Sequence, residues 1–201
     1  MSLFVVLEGG DGCGKSTQAA RLAERLRQEG REVVSTREPG ATPVGAAIRS
    51  LVLGGEAIDA RTEALLIAAD RAEHAARVLR PALERGAVVV SDRYVPSSLA
   101  YQGVARGLGV SGIERLSAWA TGGLEPDVVV VLDVTSEVGA SRRTGPQDRM
   151  EREDVAFRDA VRQAYLELAP RYGWVVVDGS APVDEVSEAV WAAVQAALQA
   201  V

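Results

Sequence analysis

The chain has no asparagine, one cysteine, one histidine and one lysine in 201 residues, and each scarcity removes a class of function. Without asparagine there is no guanine-reading N-K-x-D motif, and none to hold the second metal of a protein kinase. A lone cysteine forms no intrachain disulfide and no thiolate metal cluster. The single histidine, His74, leaves little room for the paired nucleophile and base of most hydrolases. It falls within a helical pattern, where a structural or surface position is expected. No uninterrupted apolar stretch approaches the length that crosses a bilayer, and no basic region precedes the first apolar run. A net charge of −6 argues against non-specific binding to nucleic acid or to an anionic membrane. The expectation is a cytoplasmic protein. Few asparagines with many alanines and arginines suit a heat-stable protein, and equally a GC-rich coding sequence.

What is present starts with that one lysine. Lys15 stands against 21 arginines, inside Gly9-Gly10-Asp11-Gly12-Cys13-Gly14-Lys15-Ser16-Thr17, which satisfies G-x-x-x-x-G-K-[ST] at every fixed position. A compact ammonium on a flexible stem reaches phosphates inside a tight backbone cradle, where a planar guanidinium needs more room. The glycines let backbone N–H groups turn inward, and the following helix offers its positive N-terminal end. Gly10 through Thr17 therefore form the expected ATP-binding loop, with the Ser16 hydroxyl placed to ligate Mg²⁺. Cys13 fills a position that needs only a small side chain.

The organisation supports this context. Leu3 to Leu7 reads as a buried parallel strand, and Gln18 to Glu29 as a helix with Ala19, Leu22, Ala23 and Leu26 on one face. Further strands are expected at 32–35, 87–90, 127–132 and 174–177. Helices are expected at 45–53, 61–84 with a break near Pro81, 151–169 and 183–198. Ser111-Gly112-Ile113-Glu114 fits a capping box opening another helix, which Gly122-Gly123 ends. Strands alternating with helices predict an α/β fold of the P-loop NTPase type, a doubly wound five-stranded parallel sheet flanked by helices with a small lid. One domain over 1–201 is expected, without repeats or linkers.

Ser91-Asp92-Arg93-Tyr94 closes the third strand at the carboxyl edge of the sheet, where open α/β sheets bind ligands. Asp92 can hold Mg²⁺ or its water shell there, and Arg93 can clamp a phosphate. Arg142, Arg143, Arg149 and Arg152 surround Thr144-Gly145-Pro146 and read as a lid over about 142–152 that closes on the triphosphate and excludes water. The shortage of histidine does no harm if the acceptor is a nucleoside monophosphate. Its phosphate oxygen is already anionic near neutral pH, so catalysis reduces to alignment and charge neutralisation.

Jointly these segments resemble the thymidylate kinases of the bacterial type. The resemblance runs through the phosphate loop with Asp11, Thr36-Arg37-Glu38-Pro39-Gly40, Glu63-Ala64-Leu65-Leu66 leading into Ala69-Asp70-Arg71, Asp92-Arg93-Tyr94, Ser97 to Gly103, and Asp148-Arg149-Met150-Glu151. It implies ATP and dTMP as substrates, dTDP as product on the way to dTTP, Mg²⁺ as cofactor, and a homodimer. By the same resemblance Asp11 contacts the sugar 3′-hydroxyl and Arg93 the 5′-phosphate, while Arg71 and Ser98 meet the thymine edge. Tyr101 walls off the 2′ position, Arg37 and Arg49 line the monophosphate pocket, and Gln102 supports the nucleoside. Lys15 and Arg93 act in catalysis, and Arg143 and Arg149 inherit the catalytic cation role from a loop arginine that this type lacks. Arg142 resembles the residue that stacks on adenine, beside Asp178-Gly179-Ser180. In two places the chain departs from the family pattern. Ala41 replaces a second glycine, and Ile67 stands where a phenylalanine usually stacks on thymine. The alternative acceptor is another nucleoside monophosphate or a deoxynucleoside. An ATP-driven switch would leave the acceptor segments unexplained.

Overall fold

A computed structural model describes residues 2–143 and 146–200. Thr144 and Gly145 of the expected lid turn lie outside the described residues. Five parallel strands, β1 (Leu3–Glu8), β2 (Val33–Arg37), β3 (Val88–Asp92), β4 (Val128–Asp133) and β5 (Val175–Asp178), pair in the order β2-β3-β1-β4-β5. The α/β class, strand count and parallel sense are as expected. Each strand runs one to two residues further toward its carboxyl end than the apolar runs suggested, because ladder pairing continues into polar residues such as Arg37 opposite Asp92 and Asp133 opposite Asp178.

Strand β1 shows why the sheet is covered on both sides. Its successive side chains point to opposite faces. Leu3, Val5 and Leu7 enter a core with Leu22 and Leu26 of α1 (Lys15–Gln28) and Val190 and Val194 of α9 (Val183–Ala200). Phe4 and Val6 enter the other, with Leu79, Ala82 and Tyr165. Fully burying such a side chain contributes about 1.5–3 kcal/mol, so β1 anchors both layers. The phosphate loop leaves β1 where chain order diverges to β3 on one side and β4 on the other, which is the switch point where such sheets bind ligands.

Several helix boundaries differ from expectation for identifiable reasons. Helix α2 (Pro43–Leu53) starts two residues early, because the Thr42 side chain accepts from Gly45 N at 2.9 Å and Pro43 suits the first turn. Helix α3 (Ala60–His74) continues through a π-helical turn, Ala75–Leu79, into α4 (Arg80–Glu84). The disturbance expected at Pro81 is thus taken up one turn earlier. After the short α5 (Val95–Ser98), a second π-helical segment, Leu99–Ala105, carries Tyr101 and Gln102. Helix α6 (Val110–Thr121) begins after Gly109, without a side-chain cap, so Ser111 to Glu114 is not its capping box. Glu114 instead accepts from the Tyr172 hydroxyl. Helix α7 (Ser136–Arg142) was not foreseen, and α8 (Val155–Tyr172) starts at the Asp154 cap and not at Glu151. No helix among the described residues is long and apolar enough to cross a membrane.

Candidate active site

Between β1 and α1 the phosphate loop is tight enough to exclude side chains. A Cβ on Gly12 would lie 2.1 Å from the Gly139 carbonyl oxygen, and one on Gly139 would lie 2.5 Å from that of Asp11. Helix α7 therefore packs backbone to backbone on the loop, with Arg142 and Arg143 at its end. Lys15 Nζ is folded onto the loop itself, donating to Gly10 O at 2.7 Å and Gly9 O at 3.1 Å. Ser16 Oγ donates to Asp92 Oδ2 at 2.6 Å. Two hard oxygen donors side by side at a phosphate loop suit Mg²⁺, which keeps several waters and takes further ligands from phosphates.

Arg93 has φ 76°, the only positive φ at a described non-glycine residue, a conformation costing about 1–3 kcal/mol. The ladder holds it there: Arg93 N donates to Leu7 O at 3.0 Å, and Ser91 Oγ donates to Arg93 O at 2.8 Å. The result turns the guanidinium over the loop, where it pairs with Asp11, donates to Gly9 O and Ser97 Oγ, and lies 5.2 Å from the Tyr101 ring centroid. Burial pushes the Asp11 carboxyl upward, but Arg93, Lys15 and Arg143 outweigh it and hold that carboxyl below its ordinary value. Burial raises the Glu8 carboxyl, which accepts from Ser97 Oγ at 2.6 Å and from Tyr94 N at 2.8 Å and so fixes the turn carrying Arg93.

Beside Arg93 the structure is built on buried ions. Arg71, 1% exposed, donates to Glu38 Oε2 at 2.8 Å, Ser98 Oγ at 2.9 Å and Tyr94 O at 3.0 Å. The other Glu38 oxygen meets His74 Nδ1 at 2.8 Å, and His74 Nε2 meets Thr36 Oγ1 at 2.6 Å. His74 is therefore structural. Asp70 accepts from Gly40 N at 2.9 Å, and burial followed by the nearby Glu38 raises its carboxyl above the ordinary value. Sequence reading missed the roles of Glu8, Glu38 and Thr36, because nothing in their spacing distinguishes a buried hydrogen-bond hub from a surface polar residue.

Two adjoining cavities result. One is lined by Ile67, Arg71, Ser98, Tyr101 and Gln102, the other by Gly12 to Thr17, Arg37, Asp92 and Arg142. Asp11, Arg49 and Arg93 line both. Burial, with Arg37 nearby, lowers the Arg49 guanidinium from its ordinary value. Arg142 Nη1 donates to Gly179 O at 2.8 Å, bringing α7 against the loop after β5. Arg143 lies close enough to influence Asp11, and its Nε and Nη1 have no hydrogen-bond partner among the described residues. Arg149 is tied to a buried carboxylate. It is 7% exposed, lines neither cavity, and donates through Nε to Val52 O at 2.7 Å and through Nη2 to Glu63 Oε2 at 2.6 Å. Of the two expected lid cations, Arg143 has two buried donors without a partner among the described residues, whereas Arg149 commits Nε and Nη2 to protein acceptors.

Comparison with known proteins gives a consistent result. The family model described as thymidylate kinase matches residues 7–190. A thymidylate kinase of Thermomicrobium roseum is 49% identical over 199 residues, covering 96% of this chain and 95% of that protein. One from Leifsonia xyli is 52% identical over 191 residues, covering 92% and 90%, and one from Deinococcus radiodurans is 47% identical over 197, covering 96% of each. With a phosphate loop, a second pocket sharing Arg49 and Arg93 with it, and this similarity over nearly its whole length, the chain belongs to the thymidylate kinase family.

Proposed function

We infer that the chain phosphorylates dTMP to dTDP with ATP, in the supply of dTTP. Beyond family membership, one geometric observation carries the reading. The phosphate-loop cavity and the Arg71–Tyr101 cavity share Arg49 and Arg93, with Asp11, Glu38 and Asp148 beside them, so two bound phosphate groups would meet at the same two guanidiniums. Kinases and phosphoryl transferases gain their rate mainly from such alignment and charge stabilisation.

In this assignment Lys15 leaves the Gly9 and Gly10 carbonyls for the ATP phosphates, and Gly10 to Thr17 cradle them. Arg142, beside Gly179, faces the adenine. Arg93, Arg37 and Arg49 hold the dTMP phosphate, Arg71 and Ser98 meet the thymine edge, and Ile67 packs on its face. Asp11 accepts from the 3′-hydroxyl, Tyr101 closes the 2′ side and Gln102 supports the nucleoside. A ribose hydroxyl would clash or stay unpaired at Tyr101, which favours deoxynucleotides. Mg²⁺, held by Ser16 and Asp92 together with phosphate oxygens and water, would neutralise charge on the transferring group. Arg143 supplies the remaining cation from the lid. The chain acts as one domain, in the cytoplasm, without nucleic acid. An ADP-release assay with dTMP, dUMP, UMP, CMP and thymidine tests the reading. The highest kcat/KM is expected for dTMP, and a preference for UMP, CMP or thymidine would reassign the acceptor.

The homodimer rests on exposed apolar side chains beyond what one core needs. Leu51 of α2 is 60% exposed, Leu65 of α3 59%, and Trp119 of α6 85%. Helix α3 packs against both α2 and α6, so the three form a continuous layer. Burying these residues against a second copy would remove a sizeable apolar patch from water. Leu65→Arg is expected to turn a dimer into a folded monomer in sedimentation velocity, and an unchanged dimer would place the interface elsewhere.

A further inference from the structure

The geometry points to Glu63 and Arg149 as positioning residues that seat the returning end of the lid on the wall of the acceptor pocket. This rests on the functional reading above and deepens it. Glu63 is wholly buried at the start of α3, yet its carboxylate serves three donors, two from the end of the second π-helical segment and one from the lid's return. Gln102 Nε2 donates to Oε1 at 2.8 Å, Arg149 Nη2 to Oε2 at 2.6 Å, and Arg106 reaches the same oxygen at 3.2 Å. Burial pushes this carboxyl upward, and the hydrogen bonds from Gln102 and Arg149 with the charge of Arg106 hold it below its ordinary value.

Arg149 is fixed at both ends of its guanidinium and through its backbone. Besides Glu63, it grips the last turn of α2 through Nε to Val52 O at 2.7 Å and through its own N–H to Leu53 O at 2.9 Å. Its neighbour Met150 lines the acceptor cavity together with Val52, Leu53 and Gln102, and its other neighbour, Asp148, lines both cavities. One buried anion thus ties the lid's return to the pocket wall that would hold the nucleoside. The opposite end of the lid leaves α7, which packs on the phosphate loop through Gly139. The lid is therefore anchored on the donor side by backbone contact and on the acceptor side by the Glu63–Arg149 pair. Neither residue touches the phosphate-loop cavity.

The test is steady-state kinetics on the full chain, varying dTMP and ATP separately, beside thermal melts. Arg149→Met replaces the buried cation by an apolar side chain of similar length and leaves the buried Glu63 carboxylate to Gln102 and Arg106, so a lower melting temperature is expected, as when one partner of a buried pair is removed. It is expected to raise the dTMP KM by about 10- to 10²-fold through misplacement of the pocket wall, with the ATP KM unchanged. Arg149→Lys keeps a charge beside Glu63 but cannot span Glu63 and the Val52 carbonyl together. It is expected to fold even if the methionine variant does not, and to shift the dTMP KM in the same direction. Glu63→Gln, which removes the charge paired with Arg149 while Arg106 keeps its pair with Glu153, should do likewise. An unchanged dTMP KM in the folded variants would overturn the proposal. So would equal rises in both KM values that track a fall in melting temperature, which is the mark of a merely structural role. A loss of turnover with dTMP KM intact would overturn it too, by making Arg149 a catalytic cation. Activity of the unaltered chain on dTMP tests the functional reading separately.

Discussion

Replacing Lys15 with methionine is expected to lower phosphoryl transfer by about 10²–10³-fold, the range for removing one preorganised donor aimed at developing charge. The argument rests on where the ammonium sits. Its present partners, the Gly9 and Gly10 carbonyls, are loop acceptors, and Lys15 itself lines the donor cavity and belongs to neither core layer, so the side chain can swing to phosphate without disturbing them. The arginines that line the same cavity, Arg37, Arg49, Arg93 and Arg142, stand outside the loop, and a planar guanidinium does not replace a compact ammonium inside a tight backbone cradle. Methionine keeps the length and the apolar stem, and the melting temperature is expected to change little. Turnover near that of the unaltered chain would remove Lys15 from the phosphate site. Unfolding alongside the lost activity would show that the ammonium is a structural tie across the loop.

How much of this was legible in the sequence depends on the range of the interaction. The phosphate loop, the strand edge at Asp92-Arg93 and the alternation of strands and helices are local patterns, and they appear where expected. Helix α7 is seven residues long and its apolar pattern is too short to stand out, although Thr135 caps it by accepting from Val138 N. Glu151 was expected to open a long helix over 151–169. Instead Asp148 and Glu151 satisfy each other's backbone N–H groups, at 2.9 and 3.1 Å, and that reciprocal turn delays α8 until Asp154. Thr42-Pro43 carried a readable start signal for α2. Nothing local, however, tells that Glu38 bridges Arg71 and His74, since the contacts cross 33 and 36 residues. The same holds for Arg149, whose partner Glu63 is 86 residues away. An arginine in a basic segment looks the same whether it faces phosphate or a buried carboxylate.

That distinction sets up the second large effect. Arg143→Ala is expected to lower kcat by about 10³–10⁵-fold, as for other cations that act on the transferring phosphoryl group, while dTMP affinity stays nearly constant. Arg143 sits at the end of α7, near enough to Asp11 to help depress its carboxyl, with two guanidinium nitrogens lacking partners among the described residues. A buried donor without a partner costs about 1–3 kcal/mol, a cost that phosphate oxygens would relieve once ATP and dTMP are bound. Because only the shared charge of the transition state would engage it fully, its removal should appear in kcat and not in the dTMP KM. The comparison with Arg149→Met is the informative part. The two arginines lie six positions apart in one basic segment, yet one should move turnover and the other the acceptor KM. If Arg143→Ala raised the dTMP KM and left turnover intact, Arg143 would be an acceptor anchor, and the cation at the transferring group would have to come from Arg93 and Arg49, which both cavities share.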